Sequence, residues 1–155
     1  MATLKSSVRR LWKTEQGAEL IEFALTFPLL LLVVMGIVDF GLLFQQYEVL
    51  TNAAREGARV SVLPGYGSAD IQTRVNQYLQ GTSLTPASVT TTVGAAQTLS
   101  IGSGLCASVT PVTVSYTHSY VFLSGIANFF GASFGTKTLT VTTSMRSETP
   151  ATSCP

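Results

Sequence analysis

From Phe23 to Phe44 nearly every position is apolar, a run of about 22 residues with none of the alternation that gives a soluble helix its polar face. At ~1.5 Å per residue a helix of this length covers the ~30 Å hydrocarbon core of a bilayer. Thr26 and Pro28 interrupt the run, and a membrane helix tolerates such interruptions because it satisfies its backbone internally. Pro28 lies in the first turns, where it predicts a kink or a local loosening. The competing reading is a core helix of a soluble domain, which would have to be covered on all sides.

Beyond Phe44 the period stays helical and the side chains change. From Gln45 to Leu63 there is no proline, and Leu50, Ala53, Ala54, Gly57, Ala58 and Ser61 recur at three- and four-residue steps. This narrow stripe of small residues suits close contact with another backbone. Glu48, Arg55, Glu56 and Arg59 occupy the opposite surface, as a solvated face with weak pairing or as a docking surface. Ala18 to Leu63 thus predicts one helix of about 46 residues, ~69 Å long.

Pro64-Gly65-Tyr66-Gly67 breaks this helix. Ser68 is placed to cap a second one, with Asp70 in its first turn, Ile71, Val75, Tyr78 and Leu79 on its apolar face, and Gly81 at its end. From Thr82 the period is two. Val89, Thr91 and Val93 predict one strand; Val112, Val114, Tyr116, His118 and Tyr120 a second; Leu139, Val141, Thr143 and Met145 a third. Leu99 and Ile101 suggest a weak fourth. Such half-buried strands predict an antiparallel sheet with one wet face. Ser124 to Gly135 carries Ile126, Phe129, Phe130 and Phe134, a short apolar helix or loop that covers the sheet or dips toward a membrane surface; aromatic packing favours the first.

Charge adds direction. Lys5, Arg9, Arg10 and Lys13 precede the apolar run against the single acid Glu15, and no base follows Phe44 until Arg55. The positive-inside rule then places the N-terminus in the cytoplasm and the C-terminal domain outside. A cleaved secretory signal would have an apolar core of ~7–15 residues and a small-x-small cut site, which MGIVDFGLLF does not offer. Two acids lie within the apolar stretch. Asp39, about 21 residues or ~32 Å beyond Ala18, falls near the outer interface. There it reaches headgroup water or contacts a neighbouring subunit or assembly protein. Glu22 lies at the inner edge, where a lone carboxylate is costly and marks a functional position. Cleavage between Gly17 and Ala18 would make Ala18 a free, positively charged amine four residues from Glu22, on the same helical face.

A basic leader, Gly17, a small residue, then Glu22 at the fifth position after the cut resembles the type IV pilin class, and Phe23 stands where the related Flp pilins usually carry an aromatic. GAELIEFALTFPLLLLVVMGIVDFG followed by QQYEVLTNAAREGARV resembles more closely the TadE family of pilin-like proteins from the tight-adherence (Tad) pilus system. The resemblance implies an inner-membrane, single-pass pseudopilin or minor pilin, processed at Gly17, Ala18, Glu22 and Phe23 by a prepilin peptidase. Its partners would be other pilin-like subunits, Tad inner-membrane assembly proteins and the lipid bilayer. It also makes Asn52, Arg55, Glu56, Gly57 and Arg59 a subunit-docking surface. The expected organisation is a leader at 1–17, a helix at 18–63 (membrane-spanning at about 21–44, periplasmic at 45–63) and a domain at 64–155. The fold class is α+β, a long N-terminal helix packed on a small antiparallel sheet in a pilin-like architecture.

Composition removes other classes. Only 11% of the 155 residues are charged and the net charge is +1, which speaks against a nucleic-acid binder. Cys106 and Cys154 are the only cysteines. In an oxidising compartment they would close a loop of about 49 residues, worth ~4 kcal/mol in the chain-entropy model; two free thiols or an intermolecular bond are the alternatives. His118 is the only histidine, and no phosphate loop, metal cluster or nucleophile elbow is visible. The expectation is therefore a structural component that is not an enzyme and uses no cofactor. An uncleaved membrane-anchored adhesin or scaffold, and a membrane-tethered hydrolase using His118, are the competing functions.

Overall fold

A computed structural model describes residues 15–102, 104–129, 131–132, 135–147 and 152–153. In chain order the elements are helix α1 (Glu15–Ser61), helix α2 (Ser68–Leu79), a 3-10 turn (Pro86–Ser88), strands β1 (Val89–Val93), β2 (Gln97–Gly102) and β3 (Leu105–His118), helix α3 (Phe122–Phe129), and strands β4 (Lys137–Arg146) and β5 (Thr152–Ser153). A long apolar helix followed by a small antiparallel sheet is the α+β class expected. The chain divides into two compact units, Met1–Phe40 with Val121–Phe134, and Gly41–Tyr120 with Gly135–Pro155. The division falls within α1.

In the first unit most of the apolar half of α1 shows its side chains outward: Leu20, Leu25, Leu29 and Ile37 are 70, 75, 67 and 67% exposed, while Leu31, Met35 and Gly36 are half-buried. α1 continues through Pro28 without interruption, so the expected loosening there does not divide the helix. Two residues earlier the Thr26 hydroxyl donates to the carbonyls of Glu22 at 3.0 Å and Phe23 at 3.3 Å. Such back-bonding adds a second donor where the proline removes one nearby.

The second unit is a helix-on-sheet core. Leu50, Ala53, Ala54 and Ala58 of α1 are fully buried with Ile71, Val75 and Leu79 of α2, Val112 and Val114 of β3, and Leu139 and Val141 of β4. The small-residue stripe thus meets the chain's own domain; the backbone it lies against is not that of another subunit. Gly57 shows how closely. A Cβ there would stand 2.8 Å from Val75 Cγ2 and 3.1 Å from Val112 Cγ1. Both neighbours are β-branched and stiff at χ1.

β3 is the hub of the sheet. One edge pairs with β4 from Val109 to His118, while the other pairs with β1 over Val112–Tyr116 and with β2 over Leu105–Val109. The changeover comes at Pro111, which has no N–H to give. Its carbonyl accepts the Gly94 N–H at 2.8 Å, on the side where β1 has ended. Gly94 is required there because a Cβ would lie 2.7 Å from Pro111 Cγ. The expected alternation holds: Val112, Val114, His118, Leu139 and Val141 are buried, and Thr117, Thr138 and Thr140 are exposed. The weak fourth strand is β2. The second strand differs from expectation, starting at Leu105 and ending at His118. At α2 the cap is Gly67, one residue before Ser68, and the Asp70 carboxylate accepts the Gly67 N–H at 2.8 Å.

Gly57→Ala tests the packing, because helix propensity alone would raise stability by ~1 kcal/mol. Overpacking opposes this by ~1–3 kcal/mol. The substitution is expected to lower the Tm of the detergent-solubilised full chain; an unchanged or higher Tm would show that the α1 contact with Val75 and Val112 is looser than described.

Candidate functional site

The residues of the expected processing segment lie on one continuous helix. Gly17 is half-buried, and Ala18, Glu22 and Phe23 are exposed. Ala18 and Glu22 are four apart in α1 and share a face. The Phe23 ring stacks on Phe27 with centroids 5.3 Å apart. Among the described residues the ion pairs are those of Glu56 with Arg59 and Arg74; Glu22 has no such partner there. The arrangement leaves an anion on an apolar surface with a place for a cation one turn earlier.

The expected docking set is split up by the fold. Arg55 and Arg59 are exposed and Asn52 is half-buried. Glu56 faces its own chain: its Oε2 accepts from Arg74 Nε at 3.1 Å and Nη2 at 2.9 Å, an ion pair joining α1 to α2. Gly57 is in the core. Of this set, Arg55 and Arg59 are the exposed residues.

Asp39 departs furthest from expectation. It neither reaches headgroup water nor points outward to a neighbour, but is fully buried. Its Oδ1 accepts the N–H groups of Val121 at 3.1 Å and Phe122 at 3.3 Å, and its Oδ2 those of Phe122 at 3.0 Å and Leu123 at 2.7 Å. These are amides at the start of α3, which a helix cannot satisfy internally. The segment before Phe122 is Tyr120-Val121, with no Ser, Thr, Asp or Asn at the cap position, so a residue more than eighty positions away performs the cap. An acid at a helix N-terminus also gains from the dipole. α3 belongs to the same unit as the apolar half of α1. Phe130 and Phe134 lie outside the described residues.

His118 is buried at the end of β3, where Nδ1 lies 2.6 Å from Gln46 Oε1 and the ring meets Tyr120 edge-on at 4.9 Å. This is a hydrogen-bonded residue of the fold, as expected from its place on an alternating strand. Cys106 is buried in β3, and the register sets Thr152 of β5 opposite it; Cys154 lies outside the described residues. Among the described residues no three His, Cys, Asp or Glu side chains are grouped to hold a metal ion.

Two of these features had no direct statement in the sequence. The Glu56–Arg74 pair joins residues eighteen apart across a turn. The Asp39 cap had two faint signs, an acid in an apolar run and an apolar helix lacking a local cap, with nothing to connect them. Asp39→Ala strips three amides of their acceptor, and loss of a cap is worth ~1 kcal/mol, up to ~2. Hydrogen exchange at Val121, Phe122 and Leu123 is expected to quicken by about tenfold or more, read by mass spectrometry of the solubilised chain. Unchanged protection would mean that the carboxylate does not hold these amides.

The helix from Gly17 to Ser61 contains a stretch long and apolar enough to cross a membrane, and that stretch is almost wholly uncovered. No curated protein and no solved structure matches the chain. A family model does, that of the TadE-like protein, over residues 17–59. Those bounds take in Gly17, Glu22, Pro28, Asp39 and Arg59, so over its N-terminal helix this chain is similar to the TadE-like family.

Proposed function

We propose that this chain is an assembly component of a Tad-type pilus, a pseudopilin or minor pilin that enters the complex through α1. The observation that carries the reading is the match of residues 17–59 to the TadE-like model, on a helix whose apolar span is almost wholly uncovered. The basic leader is held in the cytoplasm and the sheet domain outside it. A prepilin peptidase cuts between Gly17 and Ala18; glycine leaves the cut site without a side chain, which suits a narrow protease cleft. The Ala18 amine then pairs with Glu22, within one subunit or between neighbours. Because an unpaired carboxylate in lipid is costly, that pair favours one axial register. The chain is the substrate in this chemistry, and the catalysis is the peptidase's. Its other partners are pilin-like subunits and inner-membrane assembly proteins, for which the exposed Arg55 and Arg59 are the available cations.

One observation favours a second reading, an uncleaved single-pass anchor for an extracytoplasmic scaffold: the Gly17–Ala18 bond lies inside α1, which begins at Glu15. Mass spectrometry of the N-terminus, with and without the peptidase, separates the two. Processing predicts an Ala18 start only where the peptidase is present, and predicts that Glu22→Ala inserts in the membrane yet fails to join the assembled complex. A Met1 start in both strains would establish the anchor.

A further inference from the structure

We propose that Val121–Phe129, the lead into α3 and α3 itself, is a second membrane-contacting element, lying in the outer face of the bilayer and fixed at that depth by Asp39. The proposal rests on the reading of α1 as membrane-spanning. Its location comes from Asp39, which lies about 21 residues beyond Ala18. At ~1.5 Å per residue that is ~32 Å, the far edge of the ~30 Å hydrocarbon core. The start of α3 is held at that level by hydrogen bonds from Val121, Phe122 and Leu123 to the Asp39 carboxylate. One turn further into the apolar half of α1, a Cβ on Gly36 would touch Leu123 Cδ2 at 4.0 Å.

The segment has the surface of a lipid-facing element. Val121 is 62% and Phe122 40% exposed. Phe122–Phe129 reads FLSGIANF, and no charged residue occurs from Val121 to Thr136. In water these exposed side chains would be a liability. At the acyl–headgroup boundary they are the face that an in-plane helix buries. The exposed apolar surface of α1 includes Leu25 and Ile37 on one side of this level and Phe40 and Phe44 on the other, so a bilayer that covers them also covers Val121 and Phe122.

The electrostatics fit that depth. A lone carboxylate at the membrane edge is costly, and so are free helix-start amides in a medium that donates and accepts nothing. Placed together, each removes the other's penalty. Since the segment has no charge, it is expected to seat in zwitterionic lipid, with no dependence on anionic headgroups.

The test uses the full chain with Trp12, its only tryptophan, changed to Phe, reconstituted in phosphatidylcholine vesicles carrying bromine at shallow or deep acyl positions. Two reporters are compared, Phe122→Trp and Leu32→Trp; Val121→Trp, at a more exposed site, substitutes for the first should that variant misfold. The expected result is quenching of Leu32→Trp chiefly by deep bromines and of Phe122→Trp chiefly by shallow ones, with the shallow quenching lost when Asp39→Ala is added. Leu32→Trp quenched but Phe122→Trp and Val121→Trp unquenched would overturn this proposal alone. Leu32→Trp unquenched would overturn the spanning reading and this proposal with it. Blue-shifted emission at Phe122→Trp that follows protein-to-lipid ratio without bromine quenching would place a second protein chain over α3, and would also overturn it.

Discussion

One carboxylate settles how the apolar helix and the far part of the chain are joined. Asp39 is an acid in a run of residues that otherwise avoid water, and it is buried against the N–H groups of Val121, Phe122 and Leu123. Neither side of this contact is stable alone in apolar surroundings. An ionised carboxylate lacks solvation there, and a helix start leaves amides unpaired. The contact ties the loop between β3 and β4 back to α1, and so turns a plain apolar span into a helix with a second element attached.

The rest of α1 obeys the same logic of matching side chains to surroundings. Up to Phe40 most of its side chains are large and face outward; from Leu50 its buried positions include Leu50, Ala53, Ala54 and Ala58, against α2 and the sheet. Small residues let backbones approach, and Gly57, with Val75 and Val112 where its Cβ would be, marks the closest approach. Arg74 then fastens α2 to α1 through Glu56. The sheet is centred on β3, and Pro111 sits where its partner changes from β1 to β2, the one place on that edge where a missing donor is harmless. The TadE-like match ends at residue 59, so it covers the apolar span and most of the helical surface that the domain packs on.

What could be read in the sequence was what repeats locally. The apolar run, the small-residue stripe, the apolar face of α2 and the period-two strands each state their environment within a few residues, and each is present. Boundaries were less legible: β3 reaches back to Leu105 because pairing with β2 and β4 outweighs the proline in its middle. The occupant of the stripe was not legible, since close packing on one's own domain and on a neighbour require the same small residues. Least legible was the Asp39 contact. Its two halves are more than eighty residues apart, and each alone has an ordinary explanation, an acid at an interface and an apolar loop. Only the missing local cap before Phe122 hints that an acceptor must come from elsewhere.

The claim that Asp39 acts as the cap of α3 has a direct test in rescue. Placing a local cap by Val121→Asn in the Asp39→Ala chain supplies an acceptor from α3's own sequence, and hydrogen exchange across Phe122–Phe129 reports whether the helix start is held. The account predicts that Val121→Asn restores protection in the Asp39→Ala background and adds little to the parent chain. Equal effects of Val121→Asn in both backgrounds would contradict it, because the carboxylate and the local cap would then not be serving the same amides.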